Sequence, residues 1–263
     1  MCLLIAAWGL DPEYPLIVGA NRDEQLSRPS TTFCVLNKRG PRILGGRDEV
    51  AGGTWLAVNE FGVVAGLTNR PVPEGVDPLR RSRGELPIRA AKHRSAHDAV
   101  SDLVTFARSE DYNPAWMLIG DRDDLFFLEL PAQGETSARA LSEGLHILEN
   151  APINSGSAKE QGVQNAIEAD LASGMPMSTV MTMVLASHHL PQEVDRRFDT
   201  EPSARRSAVR VPCVHTENYG TRSSALIMVP SDRREKSFIS VADGPPCRSR
   251  YQDQSVFWIS SRD

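Results

Sequence analysis

The chain has 263 residues, enough for one large domain or two small ones with a sizeable core. Its 29 Lys and Arg stand against 34 Asp and Glu, a net charge of −5, which argues against a dedicated nucleic-acid binder. Apolar residues at 40% and charged residues at 24% are ordinary globular usage. No Lys or Arg precedes Arg22 and no long apolar stretch occurs, so neither a signal peptide nor a transmembrane segment is expected. The expectation is a single folded, cytoplasmic domain over residues 1–263, with a small-molecule partner and no nucleic acid.

Short strands punctuated by turns fill the first seventy residues. Leu3–Trp8 and Leu16–Ala20 are apolar runs separated by Asp-Pro-Glu-Tyr-Pro, which predicts a hairpin-like pair. Gly45-Gly46 and Gly52-Gly53 bracket a charged segment read as a loop. Trp55–Asn59 and Val63–Thr68 flank a second turn, Asn59-Glu60-Phe61-Gly62. Ala96, Ala99, Val100, Leu103, Val104 and Ala107 then recur at helical spacing, with Ser95 as the N-cap. Trp116–Gly120 and Leu125–Leu130 predict a hairpin around Asp121–Asp124. Two helices follow, from about Lys159 to Ala172 and from Ser178 to His188, the second stopped by Pro191. Asp195–Pro212 reads as a polar surface loop, and Ser224–Val229, Phe238–Val241 and Val256–Ile259 as closing strands. Long alternating βαβ units are absent, so antiparallel sheets with segregated helices fit better than a doubly wound parallel sheet.

Several site signatures are missing. There is no GxxxxGK[ST], GxSxG or HExxH, and no pair of the four cysteines (Cys2, Cys34, Cys213, Cys247) stands at CxxC spacing. The expectation is therefore no metal site and no required cofactor, with Cys34, Cys213 and Cys247 as small apolar core residues. His93 and His97 share a helical spacing but have no third ligand nearby. His188-His189 suits contact with terminal helix carbonyls. The run Arg80, Arg81, Arg83, Arg89, Lys92 and Arg94 reads as a solvated face, with contact to an anionic group as the alternative.

Cys2 stands apart. Once Met1 is removed it carries both a thiol and a free α-amine, the two titrating at about 8.5 and 8 in model peptides. One residue then supplies nucleophile and base, the N-terminal form of nucleophilic catalysis. The alternative is an incidental cysteine at a chain end. A second predicted strand ends in Asn21-Arg22-Asp23-Glu24, whose side chains alternate between faces. Asp23 can orient the amine, Arg22 can hold a substrate carboxylate, and Asn69 can donate its amide N–H to an oxyanion.

Met1-Cys2, Asn21-Arg22-Asp23-Glu24, Ser27-Arg28-Pro29, LGGRDEVAGGTWLAVNEFGVVAGLTNR across Leu44–Arg70, and Tyr219-Gly220-Thr221-Arg222-Ser223-Ser224 together resemble the NRDE family, also called the transport-and-Golgi-organisation family. The resemblance covers about a third of the chain. It implies an α+β fold, the four-layer αββα sandwich of the N-terminal nucleophile hydrolases, with two stacked antiparallel sheets. It also implies a likeness to the conjugated bile acid hydrolase and penicillin V acylase group. Carried over by motif, Cys2 is the nucleophile, Asp23 the carboxylate near its amine, and Asn69 and Asn150 the oxyanion donors. Asn21, Arg22, Arg47, Trp55 and Arg222 are the substrate-binding candidates. The acylase group carries an Arg three residues before its Asp. Ala20 holds that place here, and the displaced Arg22 is expected to face away from the acylase position. Two functions follow from the resemblance: a Cys-dependent hydrolase of a small amide, or a carrier of haem or an acyl-CoA-like hydrophobic anion, with the arginines on its carboxylates.

Overall fold

A computed structural model describes residues 2–37, 39–189 and 211–259. Among the described residues, thirteen strands form two sheets, antiparallel throughout. One contains β1 (Cys2–Trp8), β2 (Leu16–Gln25), β10 (Gly144–Leu148), β11 (Tyr219–Val229), β12 (Phe238–Ala242) and β13 (Tyr251–Asp253), in the order β10-β1-β2-β11-β12-β13. The other runs in chain order through β3 (Ser30–Asn37), β4 (Ile43–Asp48), β5 (Leu56–Asn59), β6 (Val64–Asn69), β7 (Ala115–Gly120), β8 (Leu125–Leu130) and β9 (Ser137–Ala140).

Four helices among the described residues cover the outer faces. α1 (Glu85–Ala90) and α2 (Ala96–Phe106) lie on the β3–β9 sheet, and α3 (Ala158–Ala172) and α4 (Met177–Leu185) on the other. The result is the αββα sandwich. Three apolar layers hold it. Leu4, Ala6, Val18, Ala20, Val64, Leu118 and Ile227 pack between the sheets. Leu3, Ile5, Ala7 and Ile17, the alternate residues of β1 and β2, pack under α3 and α4. Ala65, Met117 and Ile119 pack under α1 and α2. A strand covered on both faces reads as a continuous apolar run, and this is why Leu3–Ala7 shows no alternation. The sheets approach closely where β1 crosses β6: a Cβ on Gly66 would stand 2.7 Å from Leu4 Cδ1.

Several local expectations shift. Of the predicted charged loop between the two glycine pairs, Arg47 and Asp48 belong to β4, which also takes in Gly45 and Gly46; a Cβ on Gly45 would stand 2.2 Å from the Leu56 carbonyl. The helix predicted from Ser178 to His188 ends at Leu185. Val256–Ile259 forms no strand; residues Ser255–Trp258 make a 3₁₀ turn whose Trp258 indole donates to the Ser237 carbonyl at 2.8 Å. Pro191 and residues 195–210 of the predicted surface loop lie outside the described residues. Among those described, no helix is long and apolar enough to cross a membrane.

Candidate functional site

β1 and β2 pair so that Cys2 stands directly opposite Arg22. Alternation puts Cys2, Arg22 and Glu24 on the face that looks toward the second sheet, and Asn21 and Asp23 on the face beneath α3 and α4. At this end the sheets part around a cavity of about 430 Å³. Cys2, Arg22, Asp23, Trp55, Asn69 and Arg83 are among its lining residues. Ala20 and Arg22 are two residues apart and share a face, so the expected reversal at Arg22 does not occur.

Arg22 is held from two sides. Its guanidinium lies 4.5 Å from the centre of the Trp55 ring and donates to Ser30 Oγ at 3.3 Å. Trp55 can lie there because position 46 is glycine; a Cβ would stand 2.1 Å from the indole. The second cationic wall comes from the predicted basic run. Arg80, Arg81 and Arg83 line the cavity, whereas Arg89 turns away and pairs with Asp102 at 2.6 Å. A tight backbone contact fixes that wall: Thr54 N–H donates to Gly84 O at 2.8 Å, and a Cβ on Gly53 would stand 2.5 Å from Gly84 C.

Five arginines line the cavity, and three are neutralised. Arg28 grips Asp48 with bonds of 2.6 and 3.1 Å, Arg80 sits 3.5 Å from Asp77, and Arg81 pairs with Glu85 at 2.8 Å. Arg22 and Arg83 have no carboxylate partner among the described residues. Arg83 donates only to the Pro114 carbonyl, at 2.9 Å. Burial lowers the pKa of both guanidinium groups, and on Arg22 the charges of Glu24 and Asp48 act against this. Two half-desolvated cations therefore face the Cys2 end of the cavity.

Burial pushes the Cys2 thiol up from its ordinary value. The charge of Asp23 adds to this, while Arg22 and the Asp23 backbone N–H oppose it. On the far side of β2, Asp23 is fully buried. Thr221, its cross-strand partner on β11, donates to Oδ1 at 2.6 Å, and Lys159 Nζ from α3 lies 4.0 Å from Oδ2. Burial raises the Asp23 pKa, with Lys159 and Thr221 pulling it back.

Other predicted site residues stand elsewhere. Asn21 is buried and donates to the Leu185 and Pro212 carbonyls, both at 2.8 Å, so it ties β2 to the end of α4. Arg47 follows Gly46 and therefore points to the opposite face from Trp55, where its nearest acceptor is the Val35 carbonyl at 3.4 Å. Arg222 is the extra residue of a β-bulge: Thr221 pairs with Asp23 and Ser223 with Arg22, so Arg222 turns outward to the carbonyls of Gln25 and Leu26. Asn150 is not in the cavity wall; its side-chain amide donates to the backbone carbonyl of Asn69. His93 lies 3.2 Å from Asp102, and His97 is exposed beside Asp98. Lys159 and the Arg28–Asp48 clasp carried no reading in the sequence. Arg28 and Asp48 sat within segments already singled out, but Lys159 gave no local signal, since a lysine near a helix start normally faces water.

Two stacked antiparallel sheets faced by helices, with a cysteine at the head of a central strand, define the N-terminal nucleophile hydrolase-like fold. Solved structures of other proteins share it. A Caenorhabditis elegans N-acylethanolamine-hydrolyzing acid amidase ortholog matches with a TM-score of 0.58 at 12% identity, over 90% of this chain and 99% of its own. A variant of the conjugated bile acid hydrolase from Clostridium perfringens matches with a TM-score of 0.55 at 12% identity, over 97% and 93%. The chain itself belongs to the Transport and Golgi organisation 2 family, whose profile matches residues 1–240. The Transport and Golgi organization protein 2 homologs of Bos taurus and Homo sapiens are 28% and 27% identical, each over 88% of this chain and 90% of its own length.

Proposed function

We propose that this protein is a cysteine amidohydrolase of the N-terminal nucleophile type, acting on a small amide with an anionic acyl part. The observation that carries the reading is the placement of Cys2 at the wall of a cavity also lined by Arg22 and Arg83, neither of which forms an ion pair with a carboxylate among the described residues. The structural neighbours named for amidase and conjugated bile acid hydrolase activity support it by analogy of fold.

In this reading, loss of Met1 frees the Cys2 amine, which takes the thiol proton as Sγ attacks the amide carbon. The carbonyl electron pair moves onto oxygen, and the Asn69 side-chain N–H stabilises that charge. Collapse of the adduct breaks the C–N bond, and the Cys2 ammonium returns its proton to the departing amine. Water then cleaves the acyl-thioester, again with the amine as base. Asp23 holds the ammonium form, and Asn150 positions Asn69 through its backbone carbonyl.

The test measures amine release from matched anionic and neutral N-acyl amides by the processed protein, Cys2→Ala and Arg83→Gln. Cys2→Ala should release none. Arg83→Gln should raise KM for the anionic member about tenfold or more and leave the neutral one unchanged, as expected for a lost charged hydrogen bond of about 1.5–3 kcal/mol. Undiminished hydrolysis by Cys2→Ala overturns the reading. Absence of all hydrolysis, with Arg83-dependent binding of haem or acyl-CoA, replaces it with the carrier.

A further inference from the structure

Three chain segments meet at the outer end of β11. His188 follows α4, Cys213 and His215 lead into β11, and Cys247 lies in the connection from β12 to β13. One side-chain donor atom from each of the four comes within 4.8 Å of all the others. We propose that these residues form a structural zinc site of the Cys₂His₂ type, which holds this corner of the sandwich and, through it, Asp23.

The spacing matches the ion. Zinc–sulfur bonds of about 2.3 Å and zinc–nitrogen bonds of about 2.0–2.1 Å, set tetrahedrally, place sulfur and nitrogen ligands about 3.5 Å apart. His215 Nε2 lies 3.6 Å from Cys213 Sγ and 3.2 Å from Cys247 Sγ. The His188 and His215 rings lie 5.0 Å apart between centres, close enough for both to reach one ion. His188 Nδ1 is 3.0 Å from the Cys213 carbonyl, which only accepts, so Nδ1 carries the proton and Nε2 keeps its lone pair. An imidazole that donates its second N–H to a backbone carbonyl is the usual outer-shell arrangement of a metal-bound histidine. Two thiolates with two neutral imidazoles are the donor set that zinc favours. Binding transfers the two thiol protons to solvent and leaves the site neutral.

The sequence hides the set because its members span residues 188 to 247 with no CxxC pair; Cys213 is buried as expected, Cys247 is only partly buried, and both stand in this cluster. His188 likewise meets Cys213, not the last carbonyls of its own helix. Cys213 N–H also donates to Ser187 O at 3.0 Å, which joins the same two segments. The residues flanking Cys213 lead to the cavity. The Pro212 carbonyl accepts from Asn21, and Val214 N–H donates to Thr221 Oγ1 at 2.8 Å, whose hydroxyl donates to Asp23. A metal clamp on Cys213 thus positions the hydroxyl that orients the buried carboxylate.

The reduced full chain is loaded with Zn²⁺ or Co²⁺, dialysed, and assayed for bound metal and for the cobalt absorption spectrum. Wild type and Cys34→Ser are compared with Cys247→Ser and His188→Gln, the last at an exposed position that the fold should tolerate. One zinc per chain should remain on wild type and Cys34→Ser, and cobalt should give the strong visible bands of a tetrahedral thiolate site. Cys247→Ser and His188→Gln should weaken zinc binding about tenfold or more, and chelation should lower Tm in wild type and Cys34→Ser but much less in the two ligand variants. Failure of the reduced wild type to retain zinc, equal retention by both ligand variants, or a Cys213–Cys247 disulfide in the protein as isolated overturns the proposal. None of these readouts depends on hydrolysis.

Discussion

Lys159 is a cation where lysine is rarely found, with its side chain 5% exposed and facing an Asp23 that is 0% exposed. Two buried charges stand together because each offsets the other's desolvation, and Thr221 also donates to Asp23. Lys159→Met should remove about 3 kcal/mol of stability at neutral pH, because it takes away the Lys159 charge that offsets burial of the Asp23 carboxylate. The deficit should shrink on acidification. Burial already raises the folded pKa of Asp23 above its unfolded value, and loss of Lys159 raises it further. Between those two values the folded state binds more protons than the unfolded one, so the variant regains stability as pH falls through the folded pKa. Urea unfolding at neutral and mildly acid pH checks this; a deficit that is the same at both contradicts the pairing. At the same scale, Arg22 was legible as a cavity residue from its motif, but its orientation was not. Register alone decides which face a strand residue takes, and register is fixed by the partner strand.

At the scale of elements, one buried carboxylate joins a helix to a hairpin. Asp121 Oδ2 accepts from Ala96 N–H at 2.6 Å in the first turn of α2, while Oδ1 accepts from Asp123 and Asp124 N–H at 2.8 and 3.0 Å in the β7–β8 turn. Ser95 caps the same helix more simply, accepting from Asp98 N–H at 3.1 Å. Asp121→Ala should therefore cost about 3 kcal/mol, and Ser95→Ala about 1 kcal/mol, in chemical unfolding; equal losses contradict the joint role. Elements with strong local periodicity were legible in the sequence, and β1, β2, α2, α3 and the β7–β8 hairpin fall where the pattern puts them. Others lacked that signal. β3 is an edge strand of partly exposed residues with no clean alternation, and α1 spans six residues with Pro87 inside it. Val256–Ile259 looked like a strand by composition, yet Val256 and Ile259 are 62% and 82% exposed and find no partner strand among the described residues. The His188, Cys213, His215 and Cys247 cluster was invisible because only tertiary folding brings its members together.

For the molecule as a whole, layering determines where chemistry can occur. Apolar packing closes the space between the sheets along most of their length, and Gly66 lets Leu4 bring them together at the centre. They part at the end where Cys2 begins β1, so a net charge of −5 coexists with a cavity lined by five arginines. The fold class was legible from the order of strands and helices and from the family motifs; the closing of the cavity by the segment around Arg83 was not, since that segment has no regular structure before Glu85. The central claim is that Cys2, as first residue, forms a covalent bond to the acyl group it transfers. Intact-mass and peptide-mass analysis of the protein from its own host, quenched in acid during incubation with an activated anionic acyl donor, reads this directly. The account predicts a chain that begins at Cys2 and carries one acyl group on that residue, lost on further incubation and absent from Cys2→Ala. A chain that retains Met1, or an acyl group on another residue that persists in Cys2→Ala, would contradict it.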